Sequence, residues 1–133
     1  MATTLIFVNL PVADQSTTRA FWSALGYSFN EAFNGENSTA VVLSDTINVM
    51  CLSPGHFADF TVKPTADGST TEAILALGVD ARDEVDRIAD AALAHGGAKA
   101  QDAQDHGFMY GRSFLDPDGH HWEVIWMDPN AQG

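Results

Sequence analysis

The chain has 133 residues, 45% of them apolar, enough to bury the core of one domain of ordinary size. Eighteen acidic against six basic residues give a formal charge of −12, a field that repels nucleic acid and anionic membrane and attracts cations, or simply keeps an acidic surface solvated. No apolar run approaches the roughly 18 residues that cross a bilayer, residues 1–12 lack the basic start and cleavage site of a leader, and the lone Cys51 can form no internal disulfide, so a cytoplasmic protein is expected.

In chain order, residues 5–10 form an apolar, β-branched run closed by Pro11, which predicts a strand. Asp14 offers an N-cap to a helix with Phe21 and Leu25 on one face, Trp22 beside them, and Gly26 as its stop. Strands are expected over 27–33, 39–43 and 47–52, separated by the turn-forming NGENS and SDT. Cys51 lies in the last of these, INVMCL, and reads as a buried, inert thiol rather than a nucleophile. Residues 53–71, rich in Pro, Gly and small polar side chains, read as a connector in which Phe57 and Phe60 tack down a short helical turn. A second series follows. A strand over 73–79 leads to a helix capped by Asp80, with Val85, Ile88, Ala89, Ala92 and Leu93 at amphipathic spacing, ended by Gly96 and Gly97. Strands over 98–103, 108–115 and 120–127 complete it, the last two joined by the DPDG turn. Both halves read βαβββ, and units too small to cover their own sheets pair with one another.

Three stretches, VNLPVAD followed by FWSALGY, ILALGVDARDEVD, and FMYGRSFLDPDGHHWEVIWMD, resemble in order and spacing the vicinal oxygen chelate superfamily of glyoxalases, bleomycin-resistance proteins and extradiol dioxygenases. The most specific element is FxDPDGxxWE, and the chain looks nearest to the small bacterial proteins called predicted lactoylglutathione lyases. The resemblance implies an α+β fold of two βαβββ modules forming an open, cup-shaped mixed β-barrel: one domain, with module one at about 3–53, a connector at about 54–71 and module two at about 72–128. It also implies a homodimer, in which paired modules complete their cups across a two-fold interface.

Glyoxalase-like members hold a divalent metal in the cup, with ligands from the first and last strand of each half. Carried over position by position, the resemblance keeps Glu123 after DPDG, but places Phe7 and Ile74 at the first-strand positions and falls near Val49 or Met50 at the remaining one, where the only nearby donors are the Met50 thioether and Cys51. Hydrocarbon side chains cannot ligate, and a thioether or thiol is a poor partner for Mg, Mn or Ni in an oxygen-rich site, so the standard metal site is largely missing and no cofactor is expected with assurance. A different divalent site would draw on Glu123 with His121 two residues away, or on His106; equally, these histidines are rim residues. Glu123 is the candidate catalytic group, as a general base with a pKa raised by burial, or it is a structural carboxylate satisfied by Tyr110 or Arg112. The candidate ligand-binding set is Phe7, Met50, Ile74, Tyr110, Arg112 and His121. Trp122 and Trp126 fall on the face opposite Glu123 and are expected under a helix or at a subunit contact.

Three functions compete. One is a glyoxalase-like lyase or isomerase, or a related cup-binding protein. The second is a non-catalytic binding protein of bleomycin-resistance type. The third is a regulatory or interaction module. The implied ligand is a small molecule, cationic or a glutathione adduct.

Overall fold

The computed structural model describes residues 1–131 and separates into two compact units, 1–65 and 66–133. In the first unit, β1 (Ile6–Pro11) is followed by α1 (Gln15–Ala24), β2 (Ser28–Phe29), β3 (Ser38–Ser44), β4 (Ile47–Leu52) and the short α2 (Pro54–Ala58). Its sheet runs β1-β4-β3-β2, with β1 parallel to β4 and the other pairs antiparallel. The second unit repeats this order. There β5 (Ile74–Val79) leads to α3 (Arg82–Ala94), β6 (Ala98–Lys99), β7 (Gln104–Asp105), β8 (Met109–Leu115) and β9 (His121–Met127). The sheet runs β5-β9-β8-β6, with β5 parallel to β9 and β7 also on β8. The first unit is therefore a βαβββ module, as the sequence pattern predicts, and the second is the same with the two-residue β7 added.

Helix α1 forms because Asp14 caps it, accepting from the Thr17 amide at 2.9 Å, and because Phe21, Trp22 and Leu25 present one apolar face. It stops at Gly26, whose φ of 99° suits a residue without Cβ. Phe21, Trp22 and Leu25 meet Val41, Val49 and Cys51 on one face of the sheet, all essentially inaccessible to solvent. Each large side chain buried there contributes roughly 1.5–3 kcal/mol.

In the second unit Val85, Ile88, Ala89 and Ala92 of α3 cover Phe114, Trp122 and Val124, again fully buried. Asp80 does not cap this helix: the N-cap is Ala81, with no side-chain hydrogen bond, one residue beyond the point from which Asp80 could serve. Asp83 and Glu84 in the first turn answer the helix dipole instead. Gly97 admits the chain to a tight passage, since a Cβ there would lie 2.7 Å from the carbonyl oxygens of both Ala92 and Leu115.

Three boundaries depart from the sequence pattern. The strand expected over 27–33 is only Ser28–Phe29, because Asn30 accepts from the Ala32 amide and turns residues 31–33 into a 3-10 turn. The strand expected over 98–103 shortens to Ala98–Lys99, and β7, which the pattern did not foresee, pairs Gln104 and Asp105 with Gly111 and Tyr110. His106 therefore sits in the turn before β8 rather than in a strand, its ring 6.2 Å from that of Phe108.

Candidate functional site

The helix covers one face of each sheet; the other carries the candidate residues. In the second unit, strand register places Ile74 beside His121 and Ala76 beside Glu123, while Ser113 of β8 lies opposite Glu123 and Gly111 opposite Ile125. Alternation thus gathers Ile74, Ser113, His121, Glu123 and Ile125 on the open face. A niche of about 60 Å³ lies beside Glu123, bordered by Gln101, Gln104, Met109, Ser113 and Ile125. It has room for one ligand head group at most. Ser113 is fixed there, its hydroxyl accepting from the Gln101 amide at 2.8 Å.

Glu123 is about one-third exposed, and its Oε2 lies 3.6 Å from Nε2 of His121, beyond hydrogen-bond range. That Nε2 is buried without a hydrogen-bond partner, an arrangement that costs free energy unless the site is completed by something else. His121 and Glu123 form the only polar pair the open face brings together among the sequence candidates. His106 does not join them, and among the described residues no group of three or more His, Cys, Asp or Glu side chains assembles.

Tyr110 and Arg112 pair with carboxylates of α3 and not with Glu123. They lie out of phase with Glu123, opposite Trp126 and Val124, and so on the helix side of β8. The Tyr110 hydroxyl donates to Asp86 at 2.6 Å, and Arg112 lies 2.9 Å from Asp86 and 2.8 Å from Asp90, all on α3. Arg112 borders the niche, but its guanidinium is held by these carboxylates. Tyr110 and Arg112 hold Asp86 below the usual carboxylate range, and Asp86 in turn pushes the Tyr110 phenol up. Neither can satisfy Glu123. Phe114 and Trp122 are likewise buried beneath α3, the latter as expected, and Arg82 stacks over Tyr110 and Trp126 at 4.6 and 5.5 Å.

The first unit has the same internal register: Phe7 lies beside Asn48, and Asn9 beside Met50, as Ile74 lies beside His121 and Ala76 beside Glu123. Phe7 thus corresponds to Ile74, and Met50 to Glu123. Phe7 and Ile74 are half exposed, at 50% and 56%. Of the four positions at which glyoxalase-type ligands are expected, three carry phenyl, thioether and sec-butyl groups and one a carboxylate. This donor set does not fit a divalent metal.

One feature lay outside the sequence reading. At the end of the first unit's open face, Asn9, Leu52, Phe57, Phe60 and Thr61 surround a cavity of about 470 Å³ roofed by α2. The only sequence signal was the pair Phe57 and Phe60 in an otherwise polar connector, read there as an anchor.

The FxDPDGxxWE motif explains itself structurally. Asp116 Oδ1 accepts from the amides of Asp118 and His120, both at 3.0 Å, and its Oδ2 accepts from the Trp122 indole at 3.0 Å. Gly119 takes the positive φ of 86° that closes the turn. His120, nearly buried, lies 2.6 Å from Glu72 just ahead of β5. The motif builds the hairpin and delivers Glu123 to the open face.

Comparison with known proteins agrees with this architecture. The profile of the Glyoxalase/Bleomycin resistance protein/Dioxygenase superfamily matches residues 4–124. Among solved structures, hypothetical protein SA1046 from S. aureus is similar over 95% of this chain and 94% of its own, with 27% identity and a TM-score of 0.77. A glyoxalase-related enzyme from Fulvimarina pelagi shares the fold at 20% identity, covering 94% and 88% of the two chains, with a TM-score of 0.79. Protein ATC0852 from Agrobacterium tumefaciens does so at 23% identity, covering 95% and 98%, with a TM-score of 0.70. No curated protein matches the chain.

Proposed function

Because the chain belongs to the Glyoxalase/Bleomycin resistance protein/Dioxygenase superfamily, we propose that it binds a small organic molecule on its open sheet faces without the Lewis-acid metal of glyoxalase-type members. The observation that carries this reading is the side-chain chemistry at three of the four ligand positions, Phe7, Met50 and Ile74. In the second unit Ile74 suits contact with the apolar part of a ligand and Glu123 with His121 is the polar anchor, while Phe7 and Met50 give the first unit's open face an apolar surface of its own. A carboxylate one-third exposed in a chain of charge −12 favours a cationic or hydrogen-bond-donating head group over a net-anionic glutathione adduct. Sequestration is then the simplest function, as in the bleomycin-resistance branch. A cytoplasmic homodimer accompanies the proposal, supported by the lone buried Cys51 and by the usual pairing of such modules. No helix among the described residues is long and apolar enough to span a membrane.

The test is a thermal-shift screen of cationic, neutral and anionic small molecules, repeated on Glu123→Gln. Stabilisation by cations that is lost in the variant supports the reading; stabilisation by anions alone, or hits indifferent to Glu123, overturns it.

A second reading rests on the closeness of His121 to Glu123. There Glu123 removes a proton next to a substrate carbonyl and His121 steadies the protonated carboxyl, giving an isomerase or lyase without metal. It predicts turnover of the methylglyoxal–glutathione hemithioacetal that is insensitive to chelators and abolished in Glu123→Gln.

A further inference from the structure

We propose that the cavity beneath α2 in the first unit is a second binding site, for a neutral planar aromatic molecule bearing a carboxamide-like edge. It lies in the first unit, and Glu123 lies in the second.

At about 470 Å³ the cavity falls in the range of small-molecule sites and admits one or two fused rings. Its composition narrows the choice. Two phenyl rings, Phe57 and Phe60, and the buried Leu52 provide the walls. Phe60 is 72% exposed, and the edge-on ring of His56, with centroids 5.2 Å apart, packs against it. Such walls favour an aromatic guest, since rings gain from offset or edge-to-face contact beyond simple area burial.

The polar groups at the cavity are the Asn9 carboxamide and the Thr61 hydroxyl. The Asn9 amide nitrogen makes only a long 3.4 Å bond to the Phe7 carbonyl, leaving its oxygen to accept and its nitrogen to donate to a ligand. A guest with an adjacent N–H and C=O meets both. No charged side chain lines the cavity, although 18 of the chain's residues are acidic, so a charged guest would lose hydration and gain no partner.

The roof is held in place before any ligand arrives. The Ser53 amide donates to the Asn37 carbonyl at 3.0 Å, Pro54 opens α2, and the Phe57 amide returns to the Ser53 carbonyl at 2.8 Å. Gln15 links the Ser53 hydroxyl to Thr39, at 3.4 and 2.7 Å. Little ordering cost then falls on binding.

Nicotinamide is the probe, with nicotinate as its charged counterpart, followed by amide and side-chain NMR shifts on the full chain. Saturable shifts confined to Asn9, Leu52, Phe57, Phe60 and Thr61 are expected with nicotinamide. Binding should weaken several-fold in Phe60→Ala and with nicotinate. Phe60 is exposed, so Phe60→Ala tests the wall without threatening the fold. Shifts that do not saturate, shifts scattered over the chain, equal binding of nicotinate, or full binding by Phe60→Ala would each overturn the proposal.

Discussion

The indole nitrogen of Trp122 donates to Oδ2 of Asp116 at 3.0 Å, tying the start of β9 to the turn that precedes it. Asp116→Ala removes this acceptor and strands three donors, the Trp122 indole and the amides of Asp118 and His120. The expected loss is about 2–4 kcal/mol, read from urea unfolding. Burial raises the Asp116 pKa, against the opposing pull of His120 and Trp122. A carboxyl raised on folding adds most to stability in acid and loses that contribution as pH rises through its folded value. The deficit of Asp116→Ala relative to the wild type should therefore grow as pH falls from neutral toward the ordinary carboxylate range.

Asp86 behaves in the opposite sense. Tyr110 and Arg112 lower its pKa, so its contribution is full above the ordinary carboxylate range and disappears as pH falls through its folded value. Half of its side chain is exposed, which discounts the pair to about 1 kcal/mol or less. Asp86→Ala should cost that much at neutral pH and nothing in strong acid, a difference that chemical denaturation at several pH values resolves.

Faces separate binding from stability. Tyr110→Phe should cost about 1 kcal/mol and leave ligand affinity untouched, because its hydroxyl serves α3. Glu123→Gln should do the reverse, altering binding with little effect on unfolding. Paired titrations and melts of the two variants check the assignment, and a binding defect in Tyr110→Phe would contradict it.

Gly97→Ala forces a Cβ to 2.7 Å from two backbone oxygens, a clash that only backbone movement relieves. A loss of roughly 2–4 kcal/mol is expected by urea denaturation, with Gly55→Ala, whose Cβ meets nothing, as the nearly neutral control.

Much of this was legible in the chain. The cap Asp14, the stop Gly26, the spacing from Val85 to Ala92 and the DPDG turn encode helices and hairpin locally, and their order encodes both modules. Strand alternation also placed Trp122 away from Glu123. What failed required cross-strand register: Tyr110 and Arg112 look close to Glu123 in sequence, but the pairing of Ser113 with Glu123 puts them on the other face. The β7 pairing spans only two residue pairs and the 3-10 turn after β2 is set by the Asn30 side chain, neither of which hydrophobic periodicity reports. The α2 cavity combines residues from β1, β4 and the connector, which no local pattern joins.

The proposal of binding without a Lewis-acid metal rests on Phe7, Met50 and Ile74, none of which is a suitable donor for a divalent ion. Its most direct test is elemental analysis of the purified protein after incubation with Ni, Zn and Mn and removal of excess ion. Far less than one ion per chain is expected for every metal, unchanged in Glu123→Gln. About one ion per chain, lost in Glu123→Gln, would contradict it.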